Sequence, residues 1–267
     1  MFNHPGWLVH YRYDDEGVIE VVDQGDVRAL YFGTANRQSS MLLSSPDWLH
    51  SRYAQAMMAW LLFKESCADV FMIGLGGGTL ARYLLKRFDD CSIDMVEFRP
   101  AMVEIARDYF DLPEDSRLTI HIGDGGAFAR QAALAGNQRY DLLMIDAYSP
   151  EGMSNAVQGL AFFDACAALM TGQGLLAINL WATHPEAFKQ IARQLGAVFD
   201  WRVLFLPVRE RGNVIGFAFA PDFPRLTLRQ LKQRVPGLMQ QYGLPFDHFL
   251  KDFKSANNKV WNRVISR

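Results

Sequence analysis

The sequence predicts an α/β fold with a mostly parallel main sheet, and three observations support this. From residue 70 onward, short apolar segments alternate with amphipathic helical patterns, as in a sheet covered by helices on both faces. The first of these segments, residues 70–73, runs directly into a turn containing four glycines. A single acidic residue stands at or just after the end of each of the next three apolar segments.

The first 45 residues predict a separate, small antiparallel sheet. Alternating apolar residues indicate strands over 8–13, 18–22, 27–32 and 39–43, and the turn sequences at 14–17 and 23–26 favour hairpins. We therefore expect an N-terminal β-hairpin domain over 1–45, an α/β domain over 46–221 and a C-terminal helical extension over 222–267.

The elements of the α/β domain follow one another in a regular order. Helical periodicity over 48–64 leads into the first strand, and further strands are predicted over 92–96, 118–122, 140–145 and 174–180. The intervening helices are predicted over 80–88, 101–109, 126–135, 160–170 and 184–195. Two last strands, 201–208 and 214–220, flank the charged turn 209–213, so they predict an antiparallel hairpin that closes a seven-stranded sheet.

The glycine turn and the three acids together predict a nucleoside site. The turn contains Gly74, Gly76, Gly77 and Gly78. Glycines let the backbone approach a ligand closely, and the start of the following helix offers free N–H groups. Glu97 ends the second strand, about 20 residues beyond the turn, where a carboxylate can accept hydrogen bonds from both ribose hydroxyls.

The other two acids follow the next two strands. Gly123 and Asp124 come after the third strand, where a carboxylate could accept a bond from an adenine amine, and Asp146 follows the fourth. Ligands of open parallel sheets bind at this carboxyl edge. The alternative is that these acids are helix N-caps, a position that Asp also favours.

Composition and charge exclude several classes of protein. Half of the residues are hydrophobic, the formal net charge is −2, and Lys and Arg form no run, which argues against a nucleic-acid partner or an anionic membrane. The apolar segments are too short to span a bilayer, so we expect a cytoplasmic protein. Three widely spaced cysteines, Cys67, Cys91 and Cys166, indicate neither a disulfide framework nor a metal site, and we expect them to be buried.

These motifs resemble the polyamine aminopropyltransferases of the spermidine synthase type, within the Rossmann-like class I S-adenosylmethionine-dependent methyltransferase fold. The small N-terminal sheet, the glycine turn, Val96-Glu97, Gly123-Asp124-Gly125, and Tyr140-Asp141 leading to Asp146-x-x-x-Pro150-x-Gly152 come in the family's order. The resemblance extends to about Pro221. It implies a transferase whose donor is S-adenosylmethionine or its decarboxylated form, whose acceptor is a small-molecule amine or other nucleophile, and which needs no metal.

The resemblance also implies roles for particular residues. Gln38 and Tyr53 would line the donor pocket together with the glycines. Glu97 would hold the ribose and Asp124 the adenine. Asp146 would be the base that deprotonates the attacking amine. Tyr148 and Ser149 would lie at the acceptor, although Tyr148 could equally be a loop anchor.

Three positions depart from the family pattern. Gly77 stands where the family carries an Asp that contacts the donor's ammonium, Ser149 replaces a second Asp before the proline, and Gln55 replaces a Glu. Charge-assisted hydrogen bonds are about twice as strong as neutral ones, so a dicationic diamine should bind poorly here. Loss of the acid at residue 77 also removes a like charge that would repel the carboxylate of intact S-adenosylmethionine.

Three functions therefore remain open from the sequence. The first is a spermidine synthase-like transferase acting on an amine, the second is a methyltransferase on the same fold, and the third is a non-catalytic protein that binds the nucleoside thioether. We expect His121 to be a core histidine rather than a base and His184 to be exposed. The open strand edges of the N-terminal hairpins predict a homodimer.

Overall fold

The N-terminal segment forms the small antiparallel sheet that the sequence predicts. The computed structural model describes residues 4–136, 138–149, 152–209 and 212–266. Its first four strands are β1 (Trp7–Asp14), β2 (Gly17–Gln24), β3 (Val27–Tyr31) and β4 (Arg37–Leu42), paired in that order. Ile19 and Leu30 are fully buried and belong to the same hydrophobic core as the main sheet. The small sheet is therefore packed onto the larger one.

The main sheet has seven strands and ends in an antiparallel hairpin, as predicted. Its parallel strands are β5 (Asp69–Ile73), β6 (Ser92–Glu97), β7 (Leu118–Ile122) and β8 (Tyr140–Ile145). A short ladder of β9 (Tyr148–Ser149) and β10 (Gly152–Met153) follows, and then β11 (Met170–Trp181), β12 (Val203–Pro207) and β13 (Asn213–Phe219). The spatial order is β12-β13-β11-β8-β5-β6-β7, with β11 parallel to β8 and antiparallel to β13. The predicted fold class is confirmed.

Helices cover both faces of this sheet. They are α1 (Arg52–Met57), α2 (Thr79–Arg87), α3 (Pro100–Phe110), α4 (Gly125–Leu134), α5 (Leu160–Leu169), α6 (Pro185–Val198), α7 (Leu228–Tyr242), α8 (Phe246–Ala256) and α9 (Trp261–Val264). Along β5, Val70 and Met72 belong to one core, and Phe71 and Ile73 belong to the other. Because side chains alternate across a strand, this central strand is buried on both faces.

One predicted helix is shorter than its sequence pattern. The periodicity over 48–64 predicts a single helix, but α1 begins at Arg52 and is followed by a 3₁₀ segment, Met58–Leu62. Every residue of that segment is buried. Packing on all sides, rather than one apolar stripe, therefore determines its local geometry.

The C-terminal helices belong to the same hydrophobic core. Thr227 and Gln230 form a capping box at the start of α7, and Leu231, Phe246 and Phe253 are buried. The side chain of Asn257 bonds both backbone groups of Phe205 on β12, at 2.7 and 2.8 Å. No helix within the described ranges is long and apolar enough to cross a membrane.

Candidate active site

The three acids predicted from the strand ends meet at one cavity. It has a volume of about 460 Å³ and lies at the carboxyl edge of the central strands. Glu97, Asp124 and Asp146 all line it. The strands that they follow, β6, β7 and β8, lie beside or near β5 in the sheet. The topology thus brings together side chains that are far apart in sequence.

The glycine turn lies between the Glu97 side and the Asp146 side of this cavity. Gly74 has a φ of +94°, and a Cβ there would collide with the backbone carbonyl of Asp146. The backbone N–H of Asp146 donates to the carbonyl of Ile73 at 2.9 Å. Gly74 therefore allows the chain after β5 to lie directly against the chain after β8.

Only part of the glycine turn faces the cavity. Among the described residues, its lining includes Gly74 and Gly76 but not Gly77, Gly78 or Gly123. Gly78 is the N-cap residue of α2 and has a φ of +70°. The predicted pocket residues Gln38 and Tyr53 both line the cavity.

Glu97 is held by two backbone N–H groups. Leu75 donates to Oε2 and Arg99 donates to Oε1, both at 2.8 Å. Burial raises the pKa of Glu97, and these amide bonds oppose the rise. Each carboxylate oxygen has more than one acceptor site. The side chain is therefore fixed in place and can still accept hydrogen bonds from a ligand.

Asp124 is a helix N-cap that also faces the cavity. Its Oδ1 accepts a bond from the N–H of Ala127 at 2.6 Å, which caps α4. The N-cap alternative is therefore correct for the contact that Asp124 makes within the protein. A hydrogen bond from Asp124 to an adenine amine stays a prediction.

Asp146 lies at the other side of the cavity, within a group of polar side chains. Nδ2 of Asn179 donates to Oδ1 of Asp146 at 2.8 Å. The hydroxyl of Tyr53, which lies 3.5 Å from the carbonyl of Gln38, is also close enough to lower the pKa of this carboxylate by hydrogen bonding. Burial raises the pKa of Asp146, while these two hydrogen bonds lower it. The net shift is upward, so this carboxylate binds a proton more readily than an ordinary Asp does.

Tyr148 anchors the loop that follows Asp146. Its hydroxyl donates to the backbone carbonyl of Asn179 at 2.8 Å, and its ring centre lies 5.0 Å from that of Trp181. These contacts match the loop-anchor alternative. Tyr148 also lines the cavity, so contact with an acceptor stays a prediction. The side chain of Ser149 and all of Pro150 lie outside the described residues.

Two of the three positions that depart from the family pattern, Gly77 and Gln55, have local explanations. A Cβ on Gly77 would lie 2.9 Å from Oγ of Ser39 and 3.0 Å from the ring of Phe110. The Ser39 hydroxyl therefore takes part of the space that a side chain at residue 77 would need. Nε2 of Gln55 donates to the carbonyl of Leu49 at 2.7 Å, which makes Gln55 an anchor for the chain before α1.

Several residues of the cavity were missed by the sequence analysis. They include Arg37, Ser39, Asn179, Trp181 and Asn213. Asn179 could have been identified from the sequence, because it is a polar residue near the carboxyl end of an otherwise apolar strand. In the structure this strand lies beside β8, which Asp146 follows. Asn213 had none, since its place in the site depends on the pairing of β13 with β11.

The remaining titratable candidates lie elsewhere. All three cysteines are buried, as expected, and none forms a disulfide; Sγ of Cys67 lies 3.9 Å from Sγ of Cys91. The expectation that His121 is a core histidine is wrong: it is half-buried on the edge strand β7, with Nε2 3.7 Å from Asp94, and it does not line the cavity. His184 is exposed before α6. Over the described part of the chain, no group of three or more His, Cys, Asp or Glu residues could hold a metal ion.

Sequence comparisons identify relatives over nearly the full chain. The spermine/spermidine synthase domain matches residues 51–224. The polyamine aminopropyltransferase of Neisseria meningitidis serogroup A is 31% identical over 241 residues, covering 90% of each chain. The polyamine aminopropyltransferase of Chromobacterium violaceum is 30% identical over 249 residues, covering 92% of this chain and 93% of that one.

Structural comparisons give a consistent fold. A spermidine synthase in complex with the transition state analogue AdoDATO superposes with a TM-score of 0.70 at 19% identity, covering 97% of this chain and 88% of that chain. Human methyltransferase-like protein 13 in complex with SAH has a TM-score of 0.67 at 27% identity, covering 73% of this chain and 94% of that chain.

Proposed function

Because this chain belongs to the spermine/spermidine synthase family, we propose that its cavity binds decarboxylated S-adenosylmethionine and that Asp146 deprotonates the amine that receives the aminopropyl group. Family membership makes the protein a transferase and favours aminopropyl transfer over methyl transfer. The observation that supports the proposed site best is the position of Asp146. Its half-buried carboxylate faces the cavity directly beside the glycine turn.

The side of the cavity around Glu97 suits the nucleoside of the donor. We assign the ribose hydroxyls to Glu97, whose carboxylate is held by the amides of Leu75 and Arg99. We assign the adenine to the region of Asp124. The glycine turn lies between Glu97 and Asp146, so the sulfonium and its alkyl chain would extend along Gly74 and Gly76 toward Asp146.

The reaction is a substitution at a carbon bonded to a positively charged sulfur. The amine nitrogen forms a bond to the aminopropyl carbon that is attached to sulfur, the bond between that carbon and sulfur breaks, and sulfur keeps the electron pair in a neutral thioether. The nitrogen loses a proton, which Asp146 accepts. The remaining requirement is to hold the nitrogen in line with the breaking bond and to exclude water.

The first test is turnover with purified protein. Decarboxylated S-adenosylmethionine is incubated with 1,4-diaminobutane or with a monoamine of similar length, and formation of methylthioadenosine is followed. We expect methylthioadenosine to form only when an amine is present. If intact S-adenosylmethionine gives S-adenosylhomocysteine and the decarboxylated donor gives no product, the methyltransferase alternative is correct instead.

We further propose a cytoplasmic homodimer that associates through the N-terminal sheet. β1 is an edge strand, and Trp7 and Tyr13 on it are 77% and 72% exposed. Large exposed aromatic side chains on an open strand edge are typical of an interface. Light scattering of the wild-type chain and of Trp7→Ser should give a dimer and a monomer, respectively. A wild-type monomer would contradict this proposal.

A further inference from the structure

Two amide side chains lead away from Asp146 in a continuous chain of hydrogen bonds. Nδ2 of Asn179 on β11 donates to Oδ1 of Asp146 at 2.8 Å. Nδ2 of Asn213 on β13 donates to Oδ1 of Asn179 at 3.0 Å. Asn179 is only 3% exposed, so its two amide ends are satisfied by these neighbours rather than by bulk water.

The orientation of the Asn179 amide has a chemical consequence. A side-chain amide has a donor end and an acceptor end, whereas an ionised carboxylate only accepts. The N–H end of Asn179 must therefore face Asp146 if Asp146 is ionised. The oxygen end then faces Asn213, and a buried oxygen without a donor would be costly. Asn213 supplies that donor.

We propose that Asn213 is a positioning residue for the proton transfer: by donating to Asn179, it keeps the N–H end of Asn179 turned toward Asp146 and so favours the ionised form that can accept a proton. The proposal rests on the proposed function, because a proton acceptor at this point matters only if an amine attacks there. A residue of β13 would thereby affect the proton transfer at Asp146, which follows β8.

Other groups also face Asp146. Tyr53 on α1 bonds its carboxylate, and Tyr148 lies in the loop after β8. The charged residues that line the same cavity are Glu16, Arg37, Glu97, Arg99 and Asp124. Burial raises the pKa of Asp146, and the bonds from Asn179 and Tyr53 oppose the rise. Loss of the Asn179 donor should therefore raise this pKa further.

The test compares two substitutions of Asn213. Asn213→Asp has nearly the same size, but its ionised side chain only accepts, so it should draw the N–H end of Asn179 away from Asp146. Asn213→Leu removes the donor without adding charge. Thr183→Asp is the control for added charge. Thr183 is exposed and lies next to Gly212, the residue that precedes Asn213.

The main readout needs no turnover. The carboxyl ¹³C resonance of Asp146 is identified by its absence in Asp146→Asn and is then titrated with pH in each variant. We expect the midpoint to rise by about one pH unit or more in Asn213→Asp, to rise less in Asn213→Leu, and to stay unchanged in Thr183→Asp. The acid limb of kcat should move in the same direction, while methylthioadenosine affinity stays constant.

Two results would overturn the proposal. One is a wild-type midpoint in Asn213→Asp, and the other is an equal shift in Thr183→Asp. If Asn213→Asp fails to fold, Asn213→Leu decides the question, and a wild-type midpoint there has the same meaning. If the midpoints shift as expected but no amine is alkylated, the proposed function fails and the effect of Asn213 on Asp146 stands.

Discussion

The half of the cavity around Glu97 is organised by backbone groups, whereas the half around Asp146 is organised by side chains. Glu97 is fixed by the amides of Leu75 and Arg99. Asp146 is fixed by the side chains of Asn179 and Tyr53. In the proposed function, the first half binds the donor and the second half carries the proton transfer.

The two carboxylates are therefore held in place by different kinds of groups. Backbone amides in the glycine turn and at the N-cap of α3 hold Glu97. In the proposed function, the half that binds the nucleoside therefore depends less on neighbouring side chains. The second half depends on particular side chains from α1, β11 and β13. In the proposed function, single substitutions there would alter the acceptor site or the proton affinity of Asp146. If the two halves are separable in this way, a substitution in one half should leave the property carried by the other half unchanged.

The largest effect should come from Asp146→Asn. Because this variant cannot accept the proton, we expect kcat to fall by roughly a hundredfold or more, the range for loss of a general base. Methylthioadenosine affinity, measured by calorimetry, should change little because Glu97 and its backbone partners are intact. Asp164→Asn on the exposed side of α5 is a matched control and should retain wild-type activity. Undiminished turnover in Asp146→Asn would exclude the base role.

The pH dependence should follow from the raised pKa of Asp146, whose main cause is burial. A base must be ionised, so activity should fall as the pH drops through this raised value, about tenfold per pH unit. The acid limb should therefore lie above the ordinary Asp range near pH ~3.9. It is measured as log kcat/KM for the donor against pH, because kcat/KM reports the pKa values of the free enzyme. The same limb in Asp146→Asn would assign the titration to another group.

The next effect should come from Glu97→Gln. We expect methylthioadenosine to bind more weakly by about 1.5–3 kcal/mol, the scale of a hydrogen bond to a charged group. Stability should fall as well, because a Gln amide cannot accept from both Leu75 and Arg99. At saturating donor, kcat should stay near that of the wild type. Glu104→Gln, an exposed change on α3, is the control. Unchanged affinity in Glu97→Gln would remove Glu97 from the donor site.

A smaller effect is expected when the family's acid is placed at residue 77. Gly77→Asp should lower the free energy of unfolding by about 1–3 kcal/mol, because its Cβ would crowd Ser39 and Phe110. Adding Ser39→Ala should restore part of this loss. In the double variant, the decarboxylated donor should gain affinity relative to intact S-adenosylmethionine. Wild-type stability in Gly77→Asp would show that the glycine turn adapts freely.

The smallest effect should come from Tyr148→Phe. Removing the hydroxyl that donates to Asn179 should cost about 0.5–1.5 kcal/mol in the free energy of unfolding. The KM for the amine should not change if Tyr148 is a loop anchor. Thermal unfolding and steady-state kinetics measure the two quantities. A tenfold or larger rise in KM with unchanged stability would instead favour direct contact with the acceptor.

The sequence by itself determined the fold class, the glycine turn and the positions of the three acids. Each of these depends on a local pattern: short apolar strands that alternate with helical patterns, glycines between a strand and a helix, or a single acid at a strand end. Parallel strands all end at the same edge of the sheet, so residues at their carboxyl ends must lie together. This is why Glu97, Asp124 and Asp146 could be placed in one site without coordinates.

Only the tertiary structure decided how Asp146 is surrounded. Tyr53, Asn179 and Asn213 come from segments far apart in sequence. The family resemblance pointed to Tyr53, and Asn179 is a polar residue in an apolar strand, but no local pattern places them with Asn213 around Asp146. They meet because α1 packs against the sheet and β13 pairs with β11. Likewise, nothing in the pattern around Gly77 indicates that Ser39 approaches it. Side-chain contacts between distant elements depend on packing and strand register, which local sequence patterns do not specify.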